Sequence, residues 1–254
     1  MLETALRKQR ADGRKLLIPY LMGGMTDDWV QALAAVVAAG ADAVEVGIPF
    51  SDPMMDGPVI QEAALLALQR GTVPGQVLDD IARADISVPV AVMTYYNIVF
   101  RAGHRRMARS LAECGVSGAI LPDLPLEEMD PWAVEADEAG VDTVLLVAPA
   151  SPDDRIERIC ARAKGFVYAV ARMAVTGEQA DVGGESRAVV ERIRRYTDTP
   201  VCVGVGVSTP EQAAEVCEAA DGVVVGSALV RRLLTGGGPE AAADFVGSLR
   251  TAID

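Results

Sequence analysis

Two acids sit where a chain this apolar rarely leaves them. In Val44-Glu45-Val46 a glutamate interrupts a run of strand-forming residues, and further on Asp56 stands just before Gly57-Pro58. A carboxylate inside a buried strand loses its hydration. Its charged form is then disfavoured and its pKa rises, which suits a general acid/base working near neutrality. The alternative is a glutamate paired with a buried arginine or amide. Asp56 also has two readings. It can act on a ligand, or it can simply favour the start of a helix over 59–70, because Pro58 fits the first helical position. Between the two acids, Ser51-Asp52-Pro53 has the composition of a turn.

A second chemistry is written late in the chain. Val203-Gly204-Val205-Gly206-Val207-Ser208 leads into Thr209-Pro210-Glu211, with Ser208 and Glu211 spaced as a capping box. Val225-Gly226-Ser227 opens another helical segment. Glycines let backbone amides approach an anion, and a helix N-terminus adds a favourable dipole.

Other chemistries are poorly supplied. The one histidine, His104, lies among arginines in Gly103-His104-Arg105-Arg106 and reads as surface. The lysines are Lys8, Lys15 and Lys164. Lys15 and Lys164 precede strand-like runs and so fall at the end opposite a site, which disfavours Schiff-base chemistry. A lysine–histidine–glutamate site of the triosephosphate isomerase kind is disfavoured too. Cys114, Cys160, Cys202 and Cys217 form no C-x-x-C pair, so buried reduced thiols are expected and no metal site. A net charge of −13 without a basic stripe argues against nucleic acid or an anionic membrane. No apolar segment reaches the roughly 20 residues of a membrane span, and 1–15 is polar and helix-like rather than a signal peptide. A cytoplasmic protein is expected.

The elements that must position these groups are eight short apolar runs: 16–21, 43–46, 88–93, 118–121, 143–148, 166–170, 201–205 and 223–225. They are rich in Val, Ile and Leu without polar alternation, as strands buried on both faces are. Between them lie amphipathic stretches, such as Trp29, Leu33, Val36 and Val37, or Ile156, Ile159 and Cys160. Several end in a glycine, as at Gly40, Gly115 and Gly140, which is a C-cap signal. The pattern predicts an α/β fold: a single (β/α)₈ TIM barrel over 1–254 with an extra N-terminal helix. A doubly wound open sheet is the runner-up, although no G-x-G-x-x-G follows the first strand. Long loops are expected at 47–57 and about 171–185, a flexible joint at 235–239, and a closing helix at about 240–252. Barrel sites form at the C-terminal ends of strands, and phosphate sites recur after strands 7 and 8.

The run Glu45-Val46-Gly47-Ile48-Pro49-Phe50-Ser51-Asp52-Pro53, followed by Asp56-Gly57-Pro58 and Ile60-Gln61, closely resembles the signature of the tryptophan synthase alpha subunit family. The resemblance runs nearly end to end. It includes Ile18-Pro19-Tyr20, Met93-Thr94-Tyr95-Tyr96-Asn97, Pro122-Asp123-Leu124-Pro125, Ala148-Pro149, Phe166-Val167-Tyr168, Val175-Thr176-Gly177 and Gly226-Ser227-Ala228. It implies retro-aldol cleavage of indole-3-glycerol phosphate to indole and glyceraldehyde 3-phosphate, in tryptophan biosynthesis. By resemblance, Glu45 protonates indole carbon 3 and takes the proton of the glycerol hydroxyl, and Asp56 accepts the indole N–H. Tyr20, Tyr95 and Tyr168 line the substrate, Thr176 on the expected lid orients Asp56, and Gly177, Gly206, Gly226 and Ser227 hold the phosphate. Phe50 is expected to pack. The resemblance also implies a beta-subunit partner in an alpha–beta heterotetramer, met partly through Asp52 and Pro53. The pyridoxal phosphate belongs to that partner, and no cofactor is expected in this chain. A stand-alone lyase releasing free indole, and a non-catalytic activator of a beta subunit, are the alternatives. Departures from the family pattern are Gly23-Gly24-Met25-Thr26-Asp27 after strand 1, Met55, Ala174 in the lid, and Val205 where an aromatic often packs.

Overall fold

The computed structural model describes residues 1–170 and 182–254. Its strands are β1 (Leu16–Met22), β2 (Val44–Gly47), β3 (Val90–Met93), β4 (Val116–Ile120), β5 (Asp142–Val147), β6 (Val167–Val170), β7 (Val201–Gly204) and β8 (Gly222–Val225). Each pairs in parallel with the next, and β8 returns to β1, closing a barrel in sequence order. The open-sheet alternative is thereby excluded. The helices are α1 (Leu2–Ala11), α2 (Trp29–Ala38), α3 (Pro58–Gln69), α4 (Pro74–Arg83), α5 (Tyr96–Ala102), α6 (His104–Glu113), α7 (Asp130–Ala139), α8 (Asp153–Arg162), α9 (Val182–Ile193), α10 (Pro210–Ala219), α11 (Ser227–Leu234) and α12 (Gly238–Ile253).

Element ends differ from the sequence expectation for local reasons. The third strand begins at Val90 rather than 88, because Pro89 has no N–H to give the ladder. The fourth begins earlier, at Val116. A register shift lets Val90 pair with Val116 and Ala91 with Gly118, so Ser117 is the extra residue of a bulge. The expected loop to 185 ends sooner, since α9 starts at Val182. The expected joint at 235–239 is likewise shorter, because Gly238 already belongs to α12. The capping box is displaced by one residue. Thr209, not Ser208, is the N-cap and accepts from the Gln212 N–H, while the Gln212 side chain accepts from the Ser208 N–H.

Two apolar layers follow from strand alternation. Outward residues such as Leu17, Val44, Val92, Val167 and Val203 meet the helices. Inward residues Ile18, Ala43, Ala91, Ile120, Val144, Phe166, Cys202 and Val224 fill the barrel. Leu2 and Leu6 of α1 join that inner cluster and are wholly buried. The extra helix therefore closes the N-terminal mouth of the barrel. Acids at this end are tied down. Asp42 accepts from the Leu17 N–H at 2.8 Å and from Arg250 at 2.9 Å, and also pairs with Arg14. Asp221 accepts from the Val201 N–H at 2.7 Å and pairs with Arg10 and Arg194. Lys15 and Lys164 lie at this same end, where Lys15 donates to the Ala220 carbonyl and Lys164 pairs with Asp137.

Candidate active site

At the opposite, C-terminal mouth the alternation that turns Ile18, Ala43 and Phe166 inward also turns Tyr20, Glu45 and Tyr168 inward, two residues further along their strands. Glu45 is in register with Tyr20 on one side and Ala91 on the other. It is 1% exposed, and among the described residues neither of its carboxylate oxygens has a hydrogen-bond partner. The arginine-paired alternative for Glu45 therefore finds no support there. Burial, with the nearby Asp56 charge as a second cause, pushes its pKa up to about 8.

Space for the two flanking tyrosines comes from glycines on neighbouring strands. A Cβ on Gly47 would fall 2.1 Å from the Tyr20 hydroxyl. One on Gly204 would fall 2.5 Å from the Tyr168 ring. Neither glycine is legible as a site residue from the sequence, because the demand comes from rings elsewhere in the chain. The rings are buried deeply enough that both tyrosines hold their protons well above the usual range.

Asp56 does not cap α3. Gly57 is the N-cap, Pro58 follows it, and no side-chain cap bond forms. The Asp56 carboxylate instead accepts from the Tyr95 hydroxyl at 3.0 Å, and that hydroxyl accepts from the Met55 N–H at 2.9 Å. Phe50 stacks on the Tyr95 ring at 5.0 Å between centroids, so its expected packing role holds. Burial raises the pKa of Asp56, and the Tyr95 hydrogen bond works against that rise. Asp52 is exposed and accepts from the Ser51 hydroxyl, and the Pro53 carbonyl accepts from the Asp56 N–H at 3.1 Å. Met54 and Met55 project outward, 87% and 61% exposed, so the size of residue 55 is unconstrained by packing.

A cavity of about 1070 Å³ opens over this mouth. Its apolar wall includes Leu121, Leu145, Leu146, Val170 and Val205, and its rim includes Gly57, Gly204, Gly206 and Ser227. Gly206 adopts φ +78°, a conformation that favours glycine. Gly226 is the N-cap of α11, whose first residue is Ser227, so the free N–H groups of that helix start at the cavity edge. Arg155 and Arg231 also line the cavity. Arg155 is held bidentately by Glu127. Arg231 follows Ser227 by four residues on α11 and so shares its face; that spacing was the signal available for it. Thr176 and Gly177 lie outside the described residues, as does Ala174. His104, expected at the surface, is half-buried, because its ring packs on Tyr96 and hydrogen-bonds to the Tyr96 hydroxyl at 2.9 Å. Cys160, Cys202 and Cys217 are buried free thiols as expected, whereas Cys114 is a free thiol only partly buried. Among the described residues no cluster of potential metal ligands occurs, and no helix is long and apolar enough to cross a membrane.

A buried, proton-holding carboxylate, a second carboxylate fixed by a tyrosine, an apolar wall and a helix N-terminus can together serve an apolar substrate that carries an anion. Comparison with known proteins bears on which one. A family model described as "Tryptophan synthase alpha chain" matches residues 6–245. The tryptophan synthase alpha chain of Streptomyces coelicolor is 45% identical, covering 100% of this chain and 94% of that one. That of Halorhodospira halophila is 47% identical, covering 98% and 94%. Among solved structures, Mycobacterium tuberculosis tryptophan synthase matches with a TM-score of 0.92 at 38% identity, covering 99% of this chain and 97% of that one. The alpha subunit from Legionella pneumophila matches at 0.90 and 33%, covering 100% and 98%.

Proposed function

The chain belongs to the tryptophan synthase alpha chain family, and from that premise we propose how its own residues carry out the family's reaction, the carbon–carbon cleavage of indole-3-glycerol phosphate to indole and glyceraldehyde 3-phosphate. The observation that carries the proposal is Glu45: buried, unpartnered among the described residues, and with a pKa of about 8. At neutral pH such a group is mostly protonated. It gives its proton to carbon 3 of the indole ring and is left as a carboxylate. It then takes the proton of the glycerol hydroxyl beside the breaking bond. The bonding electrons return to the ring, the hydroxyl carbon becomes the aldehyde, and Glu45 ends protonated as it began. Positioned proton transfer of this kind contributes about 10²–10⁴-fold to rate.

Asp56, steadied by Tyr95, accepts the indole N–H as positive charge develops on that nitrogen. Tyr20 and Tyr168 flank the reacting carbons, and the leucine–valine wall takes the ring. The N–H groups at Gly206, Gly226 and Ser227 receive the phosphate, with Gly177 as the expected fourth contributor. The substrate's charge is thus met by oriented amides inside a net-negative chain. A beta subunit is the partner, in an alpha–beta heterotetramer. It holds the pyridoxal phosphate and meets the exposed loop at Asp52 and Pro53, and the cytoplasm is the site of action. This chain needs no cofactor for the cleavage.

Indole release from indole-3-glycerol phosphate by the purified chain, with and without a beta subunit, is the deciding assay. Wild type is activated by the partner, whereas Glu45→Gln loses 10²-fold or more in kcat while still binding a glycerol-phosphate ligand. Cleavage at wild-type rate by Glu45→Gln would sink the assignment, and high activity indifferent to the partner would point to a stand-alone lyase.

A further inference from the structure

Each carboxylate of the site has a tyrosine neighbour, yet only one of the two pairs is hydrogen-bonded. Tyr95 donates to Asp56 at 3.0 Å. Glu45 has Tyr20 directly across the β1–β2 ladder, both turned into the barrel. Glu45 is 1% and Tyr20 5% exposed. Among the described residues both Glu45 oxygens are empty acceptors. The Tyr20 hydroxyl is directed to Met22 Sδ at 4.0 Å, a weak acceptor at the limit of contact. A buried donor without a strong acceptor therefore adjoins a buried acceptor without a donor, a combination folded interiors seldom leave.

Gly47 sets where that hydroxyl lies. Its missing Cβ would stand 2.1 Å from the hydroxyl oxygen and 2.8 Å from Cζ, so the phenol tip occupies the space of the residue two past Glu45 on the same strand. Asp56, Glu45, Tyr168 and Tyr95 all act electrostatically against ionisation of Tyr20, so this phenol is in the field of both carboxylates.

We propose that Tyr20 is a positioning residue for Glu45: when that group is ionised, the phenol shifts away from Met22 and its hydroxyl donates to the Glu45 carboxylate, in the space that Gly47 leaves open. The donor is then engaged only in the half of the cycle in which Glu45 has given up its proton. It points the carboxylate and limits the cost of its buried charge. The inference deepens the proposed function and rests on Glu45 as the proton carrier.

The test reads Glu45 itself. The full chain is labelled with ¹³C at the glutamate δ-carboxyl and titrated by NMR, and the Glu45 signal is assigned by its loss in Glu45→Gln. Tyr20→Phe, which keeps the ring and removes the donor, raises the midpoint by about one unit, the size expected of a hydrogen bond to a charged group. Gly47→Ala, which keeps the phenol but displaces its tip, moves the midpoint the same way and decides the matter if Tyr20→Phe does not fold. The limb of the kcat/KM–pH profile set by Glu45 shifts in parallel. A midpoint unmoved in Tyr20→Phe, with only KM altered, makes Tyr20 a wall of the substrate pocket and overturns the proposal. The NMR midpoint is independent of turnover, so an active Glu45→Gln would refute the proton-carrier role without being mistaken for this result.

Discussion

Glu45 and Asp42 lie three positions apart and look alike in the sequence, yet their environments make them opposites. Asp42 takes Arg250 from the far end of the chain and Arg14 besides. Glu45 has no such partner among the described residues. The difference has a thermodynamic signature. The ordinary glutamate value of 4.5 applies to the unfolded chain, and about 8 to the folded one. Between those values the native state holds a proton that the unfolded state has released. The stability from the neutral side chain is therefore complete below pH 4.5 and is lost as pH rises through 8. Thermal unfolding of wild type and Glu45→Gln at pH 5 and pH 8 measures this. Relative to the mutant, wild type loses on the order of a few kcal/mol over that interval, several degrees in Tm. Equal pH slopes would mean that burial does not hold the proton. An acid inside a valine run was readable as unusual from sequence. The arginines that neutralise Asp42 were not, because their approach depends on how the chain closes.

Asp56 shows the same limit for whole elements. Local spacing allowed it either to begin α3 or to act on a ligand, and the residues around it could not choose. The helix start belongs to Gly57 and Pro58, while the carboxylate belongs to Tyr95, the N-cap residue of α5 just past β3. Asp56→Asn should accordingly lower kcat by at least about tenfold, the scale of a charge-assisted contact made in the transition state, and leave Tm within a few degrees. A large fall in Tm with unchanged turnover of the folded fraction would return Asp56 to a structural role. The strand series was readable because buried parallel strands are apolar throughout. Their ends were not, where Pro89 withholds a donor and Ser117 makes a bulge. The capping box went astray for a related reason: both Ser208 and Thr209 can cap, and only the backbone turn selects Thr209.

Across the whole molecule the two ends of the barrel treat charge differently. The N-terminal end satisfies acids with arginines and backbone amides, while the C-terminal end sets its acids beside tyrosines. The first end is closed by paired charges and apolar packing, whereas the second holds groups that are poor partners for one another. Leu6, wholly buried beneath the barrel, tests this division. Leu6→Ala should cost roughly 2–5 kcal/mol of unfolding free energy, measured by urea titration, while kcat of the folded protein stays near wild type. Loss of turnover without loss of stability would show the two ends to be coupled.

With Leu2 and Leu6 filling its base, the barrel is a vessel rather than a conduit. Among the described residues the base is closed, so a small molecule that enters at the C-terminal mouth leaves past the rim that carries Met54 and Met55. Traffic is therefore governed from one side only. A protein seated on that rim would cover entrance and exit together, so a stopper there would retain an uncharged product that the interior binds only weakly.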